Sequence, residues 1–372
     1  MSPRCAPSNP SQAPSDTRLR RAPPPPQAGE AKRRAATFDF FPPSAPLSFR
    51  VMDAPVTAPV KRPSTIDRQE MERALERGPY TEEGVHVVDQ MIRDRAKGLR
   101  SMRIWPLIRP ALYAFLGYGK AKPMCDRVYH RSADEVFSMV RDELGLKVDV
   151  EGLENIPKDG PFILAPNHPT GLSDGIAMHH MLRSVRPDHM VFANRDAYKV
   201  APRLRDYIIP VEWVKAGETR DFAGSRDTLV ATLRAVKAGM GLVLFPSGRI
   251  SFHADGRLNE QPWLPTVISF QRRFECPVIP MRIDARNSWF YYWAWNTSAE
   301  LRDMTIFHEL LNKAGSTFRM KIGEPLAPAD IPHESETEAA WSLQCYVEHD
   351  LGAGKSWAER SPTPPGPPPA RD

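Results

Sequence analysis

The chain has 372 residues, 41% of them apolar, a formal charge of +5 and four cysteines. That length allows one large domain with extensions. The cysteines, Cys5, Cys125, Cys276 and Cys345, form no CxxC pair, and the whole charge excess sits in residues 1–51, where eight Lys/Arg face three Asp/Glu; from Met52 onward the signs balance at 42 each. This argues against a disulfide framework, a zinc ribbon and a nucleic-acid-binding fold, and it fits a reducing compartment.

Of the 39 prolines, 14 fall in residues 1–66 and six in residues 361–372. Such segments bury too little apolar surface to offset the entropy of ordering. Residues 1–66 and 359–372 are therefore expected to be disordered tails. Met52 opens a plausible alternative start (MDAPVTAPVKRP), and a solvated basic tail is the other reading of residues 1–51. Residues 1–30 lack the apolar core of a signal peptide.

Residues 67–131 are expected to form an N-terminal helical element. Within 82–101, Val85, Val87, Val88, Met91 and Ile92 make an apolar stripe at helical spacing. The stretch 102–118 mixes Trp105, Tyr113, Phe115 and Tyr118 with Arg103 and Arg109. It suits a helix in a bilayer interface, or equally one packed on the main domain. IWPLIRPALYAFLGYG (104–119) carries Arg109 and two prolines and falls short of a membrane span, so the protein is expected to be peripheral rather than spanning.

Residues 132–358 are expected to be an α/β domain. SADEVFSMVRDELG (132–145) has a Ser N-cap, early acids and a closing glycine. LKVDVEGLENIP then alternates like an edge strand, and Phe162, Ile163 and Leu164 read as a strand buried on both faces. Pro166, Pro169 and Gly171 stop that strand, and a helix begins near Ser173 or Asp174. Strands at 190–194, 207–213, 241–246, 277–283 and 318–323 alternate with helices near 201–206 and at 224–238, 299–313 and 335–351. That order predicts a mixed, mostly parallel sheet covered by helices on both faces.

Two strand-end turns carry the candidate chemistry. His168 follows a core strand, with Asp174 six positions on. It has three readings: a structural histidine, a metal ligand with His179, His180 or His189 (for which no HExxH-type spacing exists), or a general base oriented by Asp174. A His–Asp pair without a protein nucleophile implies that the substrate brings the hydroxyl. In GLVLFPSGRISF (241–252), Ser247, Gly248 and Arg249 occupy the second turn. Backbone N–H groups near Gly248 and the Arg249 guanidinium would suit an anion such as phosphate. Ser247 lacks the glycine two positions earlier that a nucleophile elbow needs. WFYYWAW (289–295) reads either as an interfacial patch or acyl-chain wall, or as packing under the last helix.

NHPTGLSD, FPSGRIS and CPVIPM (276–281), in this order and led by VDVEGLENIPKDGPFILAPNH, resemble the glycerolipid (1-acylglycerol-3-phosphate) acyltransferase family over about residues 146–285. The NHPxGxxDG form is most similar to the family's hemolysin-like and ornithine-lipid branch. Two features differ from the commoner pattern: five residues, not four, separate His168 from Asp174, and Ser247 stands where the family has glutamate. The resemblance implies an α/β domain preceded by a helical membrane-docking element. It implies transfer of a fatty acyl group from acyl-CoA or acyl-carrier protein to a lysolipid hydroxyl (lysophosphatidate or lyso-ornithine-lipid type), at the cytoplasmic face of the membrane, with His168 and Asp174 catalytic and no metal or prosthetic group. Arg249, Gly248, Ser247 and Arg195 would bind substrate, although Arg195 reads equally well as a surface arginine at a strand end. A non-catalytic lipid- or acyl-carrier-binding protein and an acyl-thioester hydrolase are the alternatives.

Overall fold

A computed structural model describes residues 49–50, 68–211, 222–254, 256–331, 335–364 and 366–367. The helical element comes first: α1 (Arg68–Arg77), α2 (Val87–Arg95), α3 (Lys97–Ser101), α4 (Trp105–Phe115) and α5 (Tyr118–Val128). The stripe of α2 buries Val87, Val88, Met91 and Ile92. These pack with Trp105, Tyr113, Leu116, Cys125 and Tyr129, and with Met304 and Phe307 from later in the chain. Helix α5 buries Ala121, Met124, Cys125 and Val128, whereas α1 buries no residue and rests on the helix-favouring residues of RQEMERALER.

The α/β domain starts at α6 (Ala133–Leu144). Ser132 and Glu135 form a capping box there, and Gly145 closes the helix in the left-handed conformation. The main sheet is built from β1 (Phe49–Arg50), β2 (Lys147–Glu151), β3 (Phe162–Pro166), β4 (His189–Asn194), β5 (Ile208–Val211), β6 (Gly241–Val243), β9 (Val278–Asp284) and β10 (Thr317–Ile322), and β7 (Phe252–Ala254) with β8 (Arg257–Asn259) forms a separate hairpin. The strand order is β1-β2-β10-β9-β3-β6-β4-β5. Strands β9, β3, β6, β4 and β5 run parallel, while β10 is antiparallel to β9 and β1 to β2. The α/β, mostly parallel reading therefore holds.

The helices are α7 (Leu172–Arg183), α8 (Ala197–Val200), α9 (Phe222–Lys237), α10 (Thr266–Phe274), α11 (Trp289–Thr297), α12 (Ala299–Met304), α13 (Ile306–Leu311) and α14 (Glu336–Cys345). All five residues of β3 are buried. One apolar cluster holds Phe162 and Leu164 with Ile176, Met178 and Met181 of α7; the other holds Ile163 and Ala165 with Val267 and Ile268 of α10 and Leu343 of α14. Alternate β3 side chains thus feed two different cores, as a strand covered on both faces requires.

Several elements differ from expectation. The stretch expected as a helix near 201–206 is a 3₁₀ turn, Pro202–Asp206, opened by a proline. Helix 299–313 breaks at Thr305, and 335–351 finishes in a π-helical turn, Tyr346–Leu351. The strand at 241–246 ends at Val243, with one further bond from Leu244 N to Leu164 O at 3.0 Å before the turn. Strand β2 is flanked by β10 and β1 rather than lying open at an edge. Residues 212–213 and most of the N-terminal tail lie outside the described residues. At the other end, residues 359–364 are not free of the domain: the Trp341 indole donates to Pro364 O at 2.8 Å, and Ser361 N donates to Asp350 Oδ2 at 2.8 Å. A buried carboxylate and an indole give a proline-rich segment the partners its own composition lacks.

Candidate active site

The strand order puts β9 and β6 on either side of β3, so three parallel strands end together. Ligands of open α/β sheets gather at such carboxyl ends. Asn167, the first residue past β3, continues the ladder with its side chain. Its Nδ2 donates to Ile283 O at 3.0 Å, and its Oδ1 accepts from Ile283 N at 2.6 Å.

His168 comes next, and the turn then folds onto α7. Gly171 adopts φ +85°, and a Cβ there would stand 2.7 Å from Ile250 Cδ1. Both the backbone sign and the close approach call for glycine. Asp174, fully buried, caps α7 from its first turn. Its Oδ2 accepts from Thr170 N at 2.8 Å and Gly171 N at 2.9 Å, and its Oδ1 accepts from Thr170 Oγ1 at 2.5 Å. The same Oδ2 lies 3.0 Å from His168 Nδ1. That approach is off the line of a well-directed hydrogen bond. The turn residues thus hold the carboxylate independently of the histidine.

The His168 side chain keeps 18% exposure, and its ring packs against Phe245 with centroids 4.1 Å apart. With Nδ1 at Asp174, Nε2 is the nitrogen left for a substrate. Among the described residues no cluster of three His, Cys, Asp or Glu is placed to share a metal ion. His179, buried in α7, instead has its Nδ1 2.8 Å from the Tyr207 hydroxyl.

The second turn stands beside the first. Ser247 is buried and donates to Arg249 O at 2.8 Å, which fixes the turn. Gly248, at φ +62°, donates its N–H to Phe245 O at 3.0 Å, and Arg249 N donates to Ser247 Oγ at 3.4 Å. The amides expected to bind an anion near Gly248 are therefore already engaged; those of Ser247 and Ile250 have no partner among the described residues. Arg249 is half-buried, and its guanidinium makes no ion pair there.

Arg195 directly follows β4, which pairs with β6 and is separated by it from β3; its Nη2 is 3.8 Å from Asp227 Oδ2. Arg286, two residues past β9, is exposed on the strand adjoining β3. Sequence reading missed it because no motif surrounds it.

Helix α11 closes another side. Tyr292 accepts from Asn287 N at 2.9 Å. Burial pushes its phenol up to about 12, and the Asp174 carboxylate adds to the shift. Lys313 and Glu309, both buried, pair at 3.2 Å; burial lowers the Lys313 pKa while Glu309 and Asp174 oppose the shift. On the outer side of α11, Trp289 and Trp293 are 76% and 47% exposed. Phe290 links them to Phe115 at the end of α4, with Phe115 and Phe290 centroids 4.7 Å apart. Helix α4 itself buries Trp105 and Tyr113 on the side packed against the protein and exposes Leu107 on the other.

Residues 147–284 match the family model described as Acyltransferase. Two curated relatives named "Lyso-glycine lipid O-acyltransferase" are similar over 210 residues. That of Phocaeicola vulgatus is 27% identical, covering 54% of this chain and 71% of the relative, and that of Bacteroides thetaiotaomicron is 26% identical, covering 54% and 72%. A crystal structure of the 1-acyl-sn-glycerophosphate acyltransferase PlsC from Thermotoga maritima is similar at 19% identity and a TM-score of 0.35, over 66% of this chain and 89% of that one. Residues 147–284 are an acyltransferase-family domain.

Proposed function

We propose that this acyltransferase domain moves a fatty acyl group from a thioester, acyl-CoA or acyl-carrier protein, to the hydroxyl of a lysolipid in membrane lipid biosynthesis. The observation that carries the reading is the His168–Asp174 pair: an accessible imidazole 3.0 Å from a fully buried carboxylate, with no serine or cysteine nucleophile in the turn beside it.

The acceptor's O–H gives its proton to His168 Nε2 as its oxygen attacks the thioester carbonyl. Asp174, ionised and held by three donors, stabilises the imidazolium through Nδ1. When the tetrahedral intermediate collapses, the C–S bond breaks and the thiolate takes the proton from Nε2. The unpartnered Ser247 and Ile250 amides are the available oxyanion donors. No metal or prosthetic group is required.

Arg249 and Arg286, at the ends of the strands flanking β3, would hold an anionic headgroup. The names of the two relatives and the serine at position 247 favour an amino-acid-headed lysolipid over a glycerol phosphate. No described helix is long and apolar enough to cross a membrane. The exposed residues Ile104, Leu107, Phe115, Trp289 and Trp293, rimmed by exposed Arg103 and Arg109, supply a surface to rest on one, at its cytoplasmic face where acyl thioesters are available.

The test is purified full-length protein with palmitoyl-CoA or palmitoyl-acyl-carrier protein and a panel of lysolipids, following free thiol and lipid products. Thiol with a diacyl lipid supports transfer, thiol with free acid supports hydrolysis, and no thiol supports binding alone. His168→Ala should lower transfer at least about 10³-fold with the fold intact; full activity in that variant refutes the base assignment.

A further inference from the structure

The backbone of His168 is gripped from a part of the chain nearly a hundred residues away. Hairpin β7–β8 pairs Phe252 with Asn259, so Ser251 and Glu260 face each other at its open base. Glu260 Oε1 accepts from His168 N at 2.7 Å, and Ser251 N donates to His168 O at 2.9 Å. The two clasp residues are joined by Ser251 Oγ, which donates to Glu260 Oε1 at 2.6 Å. The other oxygen, Oε2, accepts from the Trp263 indole at 3.1 Å. Both polar groups of the His168 peptide unit are thus held by one carboxylate–serine pair.

We propose that Glu260 is the positioning residue of His168, a buried clasp that sets where the imidazole stands against Asp174 and the acceptor hydroxyl. The proposal rests on the acyl-transfer reading of His168. A purely structural carboxylate would be expensive here. Glu260 keeps 7% exposure, has no cation paired with it among the described residues, and has a second, half-buried carboxylate nearby, Glu348 of the Tyr346–Leu351 turn. Burial pushes Glu260 up to about 7. A glutamine would fill the same volume without that charge. What the group offers when ionised is two oxygens that only accept, matched to three donors: the His168 amide, the Ser251 hydroxyl and the Trp263 indole. The glutamine's NH₂ would meet one of those donors instead. Strain tolerated at a functional site is the common reason for keeping such a group.

The same clasp joins the two motif turns. Ser251 ends the segment that begins at Ser247, so fixing His168 to Ser251 and Glu260 also fixes the distance between the imidazole and Arg249. Asp174 cannot do this, because its partners lie within its own turn.

Three full-length variants test the clasp: Glu260→Ala, Glu260→Asp and Glu260→Gln. Hydrogen exchange followed by mass spectrometry on the peptide spanning 162–171 reads the His168 amide without any need for activity. Steady-state thiol release from palmitoyl-CoA reads catalysis. The alanine variant should lose at least about tenfold of the amide's protection. Its kcat should fall about 10²-fold, the effect of a misplacement near 1 Å, while KM for palmitoyl-CoA stays within about twofold. If the alanine variant does not fold, Glu260→Asp, which withdraws the carboxylate by one methylene, should show the same split. Glu260→Gln keeps an acceptor for His168 N and should recover kcat to within about tenfold of the parent. Unchanged protection, or a folded alanine or aspartate variant with kcat within about threefold of the parent, overturns the proposal. A parent that releases no thiol from either palmitoyl-CoA or palmitoyl-acyl-carrier protein in the presence of lysolipid refutes the acyl-transfer reading instead, and the exchange measurement then decides the clasp by itself.

Discussion

Replacing Asp174 by asparagine separates what the carboxylate does for the fold from what it does for chemistry. Asp174 has no exposed surface and accepts from two backbone amides and a hydroxyl. Alanine would strand all three, at about 1–3 kcal/mol each, enough to unfold a domain of ordinary stability of about 5–15 kcal/mol. Asparagine is milder. Its oxygen can stay on the two amides, and its NH₂ can face Thr170 Oγ1, whose hydroxyl rotates to accept; the loss should be about 1 kcal/mol. The same placement keeps an acceptor toward His168 Nδ1, so the tautomer survives and only the negative charge is gone. Opposite charges at this range attract by about 4 kcal/mol at an effective dielectric of 20, and three donors already share this one. The expected loss is about 10²- to 10³-fold in kcat, with KM for the acyl donor unchanged. Thiol release from palmitoyl-CoA and thermal melting, measured side by side, provide the check. An asparagine variant that melts like the parent and retains a third or more of its kcat would refute the pairing of Asp174 with a charged imidazole.

Gly171→Ala should destabilise by about 2–3 kcal/mol, from a left-handed φ and a Cβ 2.7 Å from Ile250 Cδ1. Adding Ile250→Ala should restore only the steric part, as a double-mutant melting series would read. Glu260, raised from its ordinary 4.5 to about 7 by burial with Glu348 adding to the shift, holds its proton more tightly folded than unfolded. Its contribution to stability is therefore full below about pH 4.5 and lost as pH rises through 7. Against the non-titrating Glu260→Gln variant, the parent should lose about 3 kcal/mol over that window, and parallel denaturant curves at pH 5 and 8 would show it; a constant difference contradicts it. Changing both Trp289 and Trp293 to serine should weaken binding to anionic phosphatidylglycerol vesicles by at least about tenfold. Unaltered co-flotation would remove α11 from the membrane face.

The features legible in the sequence are those whose cause is local. A run of three buried residues closed by prolines marked β3, and Ser132 with Gly145 bracketed α6, because alternation and caps are read within a turn or two. The His168–Asp174 pair was legible for the same reason, since both lie in one short turn. Residues that act across the chain were not. Glu260 looks like any loop acid until a hairpin sets it opposite Ser251, and only the Asp-Gly dipeptide at 255–256 hinted at that hairpin. Arg195 stands out in the sequence only because VFANRDA falls near the basic second motif of the family that the chain resembles. That β6 lies between its strand and β3 is visible only in the sheet order. Pairing order is a long-range property that no window of residues contains.

Asn167 has a consequence of its own. Its carboxamide imitates a peptide unit, giving and receiving across to Ile283 as one more rung would. The imidazole that follows is thereby indexed to the neighbouring strand rather than to the loop alone. Neither an isosteric acid, which would face the Ile283 carbonyl with another acceptor, nor a leucine of similar bulk could serve as that counterfeit rung, and a slip between the two strands would carry the imidazole along with it.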